Sequence, residues 1–146
     1  MGSNKGVLYE AKQESQEVFS QEVMADLTYA LKGTITGGTG AAALALGRPA
    51  AGKTGTSQSN ASAWFSAYTP QLAASVALFR DSASESLNGI GGLTSVTGGT
   101  FPARIWTAFM KGALKGQEII EFPAPSNIGG LEPVVMTSGG VQSRRP

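Results

Sequence analysis

At 146 residues and 41% apolar content, the chain can bury one hydrophobic core but not two independent ones. Only 14% of residues are charged, the formal net charge is +1 and the cations are scattered. No nucleic-acid or anionic-membrane surface is indicated, and the expected partner is a small or neutral molecule. Cysteine and histidine are both absent, which excludes disulfides, thiolate nucleophiles, imidazole bases and His-containing metal sites.

Met1-Gly2-Ser3 reads as an expression scar ahead of a trimmed gene product, and the first residues carry neither the apolar stretch of a signal peptide nor a membrane span. Val7-Leu8-Tyr9 is expected to be the second arm of a hairpin whose first arm is missing. Over residues 20–32, Val23, Met24, Leu27, Tyr29, Ala30 and Leu31 recur at mainly helical spacing, with Ser20 as N-cap and Gly33 as stop. Residues 34–40 are Gly/Thr-rich and form a loop; residues 41–46 are small and apolar and suit a short helix, closed by Gly47-Arg48-Pro49.

Three strands are expected next, at 51–57, 63–68 and 72–79. Their connections are too tight for parallel neighbours, so an antiparallel meander is expected. Residues 81–100 are rich in Ser, Gly and Thr without periodicity, a long connector that is mobile or edges a site. Over 102–115, Ile105, Trp106, Phe109, Met110, Ala113 and Leu114 make an apolar helical face, with Pro102 in the first turn and Gly116 beyond the end. Trp106 and Phe109 are expected to pack this helix on the sheet, while Arg104 and Asp81 read as surface charges. From 126 to 146 the chain reads as a flexible tail or linker.

Lys53 belongs to two motifs at once. Gly47-Arg48-Pro49-Ala50-Ala51-Gly52-Lys53-Thr54 satisfies the P-loop pattern, which needs a helix after the lysine so that its N-terminus faces phosphate. After Thr54 the chain continues as Gly55-Thr56-Ser57-Gln58-Ser59-Asn60, where Gly, Thr, Ser and Asn disfavour a helix interior. An extended stretch after Thr54 would reject the nucleotide reading.

The other motif is Lys53-Thr54-Gly55, which accompanies S-x-x-K and S-x-N in penicillin-binding proteins and β-lactamases. Its neighbourhood is more specific than the triplet. Arg48-Pro49-Ala50-Ala51-Gly52-Lys53-Thr54-Gly55-Thr56 precedes Ala63-Trp64-Phe65-Ser66-Ala67-Tyr68-Thr69-Pro70-Gln71. Gly98-Gly99-Thr100-Phe101-Pro102-Ala103-Arg104-Ile105-Trp106 comes later. In this order the segments resemble class A penicillin-binding proteins, bifunctional cell-wall synthases, from about Val7 to about Gly130, including Asp26-Leu27-Thr28-Tyr29-Ala30-Leu31 and Phe122-Pro123-Ala124-Pro125-Ser126. Ser62, Ala67 and Phe79-Arg80-Asp81 depart from the usual family pattern, which bears on substrate preference.

The resemblance implies an α+β fold, a mainly antiparallel sheet with flanking helices, forming the C-terminal portion of a penicillin-binding transpeptidase domain over 1–125. It implies a serine acyl transfer on the D-Ala-D-Ala end of a peptidoglycan stem peptide, which β-lactam antibiotics mimic. No cofactor or metal is needed for that chemistry. It implies a site on the outer face of the bacterial cytoplasmic membrane.

Lys53 would supply positive charge near the substrate carboxylate and orient the S-x-N serine. Thr54 and Thr56 hydroxyls would meet the carboxylate, and the Thr56 N–H would serve as an oxyanion donor; Lys53 and Thr56 are thus the catalytic candidates. On physical grounds Gly55 clears the approach of a peptide added along the strand edge. Period two sets Lys53 and Gly55 on one face and Thr54 and Thr56 on the other.

The nucleophile is elsewhere: three residues before each lysine stand Gly2, Tyr9, Tyr29, Ala50, Ala108 and Gly112, so no S-x-x-K exists in this sequence. Ser86-Leu87-Asn88 fits S-x-N but lies after the Lys-Thr-Gly strand, and reads as coincidence. A companion polypeptide carrying S-x-x-K and S-x-N is therefore expected. The alternatives are a non-catalytic binding or assembly module and the nucleotide-binding enzyme.

Overall fold

The computed structural model describes residue 12, residues 16–82 and residues 84–128. Val7-Leu8-Tyr9, the Met1-Gly2-Ser3 start and the chain beyond residue 128 lie outside the described residues.

Helix α1 spans Gln21–Thr36. Ser20, in extended conformation, is its N-cap and accepts from the Val23 N–H at 3.5 Å, with Glu22 in the first turn where the helix dipole favours an anion. The helix does not stop at Gly33 as the sequence suggests. A helical glycine costs only about 1 kcal/mol relative to alanine, and one more turn carries Ile35 into the core, where it is 3% exposed. The chain then turns at Gly37, whose N–H bonds back to the Gly33 carbonyl at 3.2 Å.

The short helix at Ala41–Leu46 forms as expected, though with the tighter 3-10 winding, and ends at Gly47 with φ +75°. Strands β1 (Ala51–Thr56), β2 (Ser62–Tyr68) and β3 (Ala73–Phe79) make an antiparallel sheet in the order β1-β2-β3. The meander is the expected one, with ends shifted by a residue. Alternation along β2 buries Ala63, Phe65 and Ala67 on one face and leaves Trp64 and Ser66 exposed on the other.

Helix α2 (Phe101–Ala113) lies against the buried face. Its inward stripe is Pro102, Ala103, Trp106, Thr107 and Met110. Trp106 meets Phe65 edge-on at 5.4 Å and donates through Nε1 to the Ala67 and Ala74 carbonyls, both at 3.1 Å, so one side chain fastens the helix to β2 and β3. Phe109 is 54% exposed and does not take part: the stripe through 103, 106 and 110 leaves position 109 on its flank. The loop from 81 to 100 is pinned by Leu87 and Val96, both buried with Ala63 in a second small cluster, and by Asn60 Nδ2 donating to Asn88 Oδ1 at 2.7 Å. Arg80 pairs with Glu85 at 2.9 Å, whereas Asp81 and Arg104 are exposed.

After α2 the chain returns along α1. Tyr68 bonds Thr28 through their hydroxyls at 2.9 Å and meets the Phe122 ring edge-on at 5.5 Å. The Asp26 carboxylate then accepts three successive backbone N–H groups, Ser126 at 2.6 Å, Asn127 at 2.9 Å and Ile128 at 3.0 Å. Asn127, at φ +55°, turns the backbone so that these donors converge, the geometry of an anion nest.

The Asn127 N–H foremost, with those of Ile128 and Ser126, holds the Asp26 carboxyl below its usual range against an opposing desolvation. Because the folded value is depressed, the clasp's contribution is full above the unfolded carboxyl value and is lost as pH falls through the lower folded one. Replacing Asp26 with Asn is expected to speed amide exchange at Ser126, Asn127 and Ile128 by roughly tenfold at neutral pH, leaving the Trp106 core unchanged. Unchanged exchange at those three amides would show that the carboxylate does not hold the segment.

Candidate functional site

The lysine motif sits on β1, and three devices fix that strand. Before it, Arg48 donates to the carbonyls of Leu114 and Glu118 at 3.3 Å and of Gln117 at 3.2 Å, tying the approach to β1 to the segment that leaves α2. Gln71 Nε2 reaches the same Glu118 carbonyl at 2.7 Å. Within the strand, Gly52 allows close contact with β2, since a Cβ there would overlap the Ala67 side chain and lie 2.6 Å from the Ser66 carbonyl oxygen. Behind it, Gly98 presses on the β1–β2 backbone; a Cβ on Gly98 would overlap the Trp64 carbonyl oxygen and stand 2.8 Å from that of Gly55.

The register pairs Lys53 with Ser66, Thr54 with Phe65, Gly55 with Trp64 and Thr56 with Ala63. Lys53 and Gly55 therefore share the face of Ser66 and Trp64, and Thr54 and Thr56 share the face of Phe65. Ser57 N–H bonds the Ser62 carbonyl at 3.0 Å, which sets the phase of the ladder. In an antiparallel pair alternate residues exchange their bonds with the partner, so Lys53 and Gly55 are tied to β2. The N–H and C=O groups of Thr54 and Thr56 point away from it, and no further strand pairs with β1 among the described residues.

Lys53 is exposed and its Nζ donates to the outward Thr54 carbonyl at 3.0 Å. Among the described residues the only ion pair is Arg80–Glu85, so the Lys53 ammonium has no carboxylate partner there. It borders a groove of about 430 Å³ whose walls include Leu31, Ser66, Tyr68 and Ser75, with the two serine hydroxyls 2.6 Å apart. At Gly55 a Cβ would lie 3.3 Å from the Trp64 Cβ, and Trp64 stays 45% exposed beside it.

Both threonine hydroxyls are engaged on the other face. Thr54 Oγ1 lies 2.6 Å from Thr39 Oγ1, and Thr56 Oγ1 accepts the Gly98 N–H at 3.1 Å. An accepting hydroxyl keeps its own proton free to donate. The sequence did not single out Thr39, and gave Gly98 only as part of a resembling segment, without a role. The available signal for Thr39 was a lone hydroxyl among the glycines at 37, 38 and 40.

The stretch after Thr54 is extended through Thr56. Residues Gln58–Asn60 make one interrupted turn, with Ser59 at φ +57° and Asn60 at φ +53°. The residues that follow Lys53 do not begin a helix, which removes the P-loop reading. Ser86 and Asn88 serve to hold the 81–100 loop: the Ser86 carbonyl accepts Arg80 Nε at 2.9 Å, and Asn88 Oδ1, besides the Asn60 amide, accepts the Val96 N–H at 3.3 Å. Among the described residues no three metal-ligating side chains cluster, and no helix is long and apolar enough to cross a membrane.

A strand bearing Lys-Thr-Gly, an antiparallel sheet and a C-terminal helix behind it define a class, and comparison with known proteins gives it a name. The family profile "Penicillin binding protein transpeptidase domain" matches residues 4–86, and the chain belongs to that family. Within it, the chain is homologous to part of the class A transpeptidase domain. It is 35% identical over 137 residues to penicillin-binding protein 1A of Mycolicibacterium smegmatis, covering 89% of this chain and 17% of that protein. Among solved structures it is similar to PonA1 of Mycobacterium tuberculosis in complex with penicillin V, with TM-score 0.67, 37% identity, and coverage of 75% of this chain and 30% of the other. Penicillin-binding protein 1A of Haemophilus influenzae shares the fold, with TM-score 0.60 at 23% identity over 81% of this chain and 18% of that one. The chain thus spans less than a third of the length of each of these relatives.

The close approach behind β1 can be tested. Gly98→Ala is expected to lower stability by about 1–3 kcal/mol, because the added methyl meets backbone on both sides. Gly55→Ala meets only a side chain and should cost distinctly less in thermal unfolding. Equal losses would contradict the packing described.

Proposed function

We propose that this chain supplies the substrate strand of a serine D,D-transpeptidase that cross-links peptidoglycan stem peptides and binds β-lactam antibiotics. The single observation that carries the reading is the outward phase of Thr54 and Thr56 on an edge of β1 that no other described strand pairs, with the Lys53 ammonium, unpaired among the described residues, beside them. A peptide laid along that edge would take its main-chain bonds from Thr54 and Thr56, in the manner of an added strand. Its terminal carboxylate would be drawn to Lys53 and to the Thr54 and Thr56 hydroxyls, with Gly55 leaving the approach clear.

In the acyl-transfer step the Thr56 N–H would donate to the developing oxyanion, a role in which one donor typically changes turnover by about 10²–10³-fold. The attacking serine, with S-x-x-K and S-x-N, lies outside these 146 residues, and the site works on the outer face of a bacterial cytoplasmic membrane. Residues 1–125 belong to the transpeptidase domain and 126–146 to a tail or linker. The absence of S-x-x-K from the sequence favours one other reading, a non-catalytic binding or assembly module.

Labelled penicillin separates the two. The chain alone is expected to remain unlabelled. Mixed with a polypeptide carrying the serine motif of a class A transpeptidase, it should restore covalent labelling of the partner, and Lys53→Ala should reduce that labelling at least tenfold. Labelling of the isolated chain, or restoration that ignores Lys53→Ala, would overturn the proposal.

A further inference from the structure

We infer that Thr39 is a positioning residue for carboxylate recognition, acting through Thr54; the inference rests on the reading of β1 as the peptide-binding strand. The loop from 37 to 40 holds one side chain among three glycines, and the surrounding backbone leaves it little freedom. A Cβ on Gly38 would lie 2.9 Å from the Thr34 backbone, and one on Gly40 would lie 2.9 Å from the Phe65 ring. A Cβ on Gly99 would overlap the Thr39 carbonyl oxygen, so the same loop that backs β1 also presses on Thr39. The Gly40 N–H closes the turn on the Thr34 carbonyl at 2.9 Å.

This packing delivers the Thr39 hydroxyl to 2.6 Å from that of Thr54, with Thr39 exposed and Thr54 half-buried. Two hydroxyls at that distance hold two protons, one of which lies between them. When Thr39 donates inward, the Thr54 proton is left to point out toward the edge. An arriving carboxylate, which only accepts, selects that arrangement. Thr56 is prepared in the same way, its oxygen already accepting from Gly98. Thr39 therefore sets which of the Thr54 hydroxyl's capacities faces the ligand: it favours an acid terminus over an uncharged one, without touching the ligand itself.

The probes are two acetylated peptides ending in D-Ala-D-Ala, one a free acid and one a carboxamide. Each is titrated into the isotope-labelled chain while the Thr54, Gly55 and Thr56 amide signals are followed by NMR. The wild-type chain is expected to prefer the acid, and Thr39→Val to reduce that preference about three- to tenfold by weakening the acid alone, the scale of one hydrogen bond. Thr39→Ser should restore the preference, and Thr39→Ala provides a second hydroxyl-free variant with a different shape. In Thr54→Val the further change Thr39→Val should have no effect, as a pair acting through one hydroxyl requires.

An unchanged acid preference in both hydroxyl-free variants, with binding still lost in Lys53→Ala, would overturn the role of Thr39 and leave the strand reading standing. No response of the β1 amides to the acid peptide in the wild type would overturn both.

Discussion

The candidate site depends on which backbone groups of β1 are consumed by β2. The Ser57–Ser62 bond fixes the ladder's phase, and it dictates the inward set at Lys53 and Gly55 and the outward set at Thr54 and Thr56. A slip by one residue would exchange the two sets. It would also turn Phe65 out of the core, so hydrophobic burial and edge chemistry enforce the same register.

The rest of the molecule supports that strand from behind. Trp106 joins α2 to the two strands beyond β1, Arg48 ties the residue before Pro49 to the end of α2, and Gly98 fills the narrow space against Gly55 and Trp64. These contacts are side-chain hydrogen bonds to backbone carbonyls and steric fits, which hold position more firmly than surface ion pairs do. The lone Lys53 ammonium contrasts with this support: it is exposed, unpaired among the described residues and bonded only to its neighbour's carbonyl. The proposed substrate carboxylate would be its counter-ion.

Features set by local periodicity were legible in the sequence. The three strands, the Ser20 cap, the Pro102 start of α2 and the alternation of faces along Lys53-Thr54-Gly55-Thr56 all come from residue spacing alone. The errors arose where tertiary packing overrode local signals. Gly33 reads as a stop but is carried through by the burial of Ile35, and Phe109 fits a helical apolar face that is wider than the surface α2 covers. The residues could be seen in the sequence but their partners could not: the pairing of Thr39 with Thr54, of Gly98 with Gly55 and of Asp26 with residues 126–128 joins distant segments and appears only in three dimensions.

Amide hydrogen exchange along β1 tests the central claim most directly. The account expects alternation: slow exchange at Lys53 and Gly55, bonded to β2, and fast exchange at Thr54 and Thr56, on the edge that no other described strand pairs. Uniform protection of all four amides, or protection in the opposite phase, would contradict it.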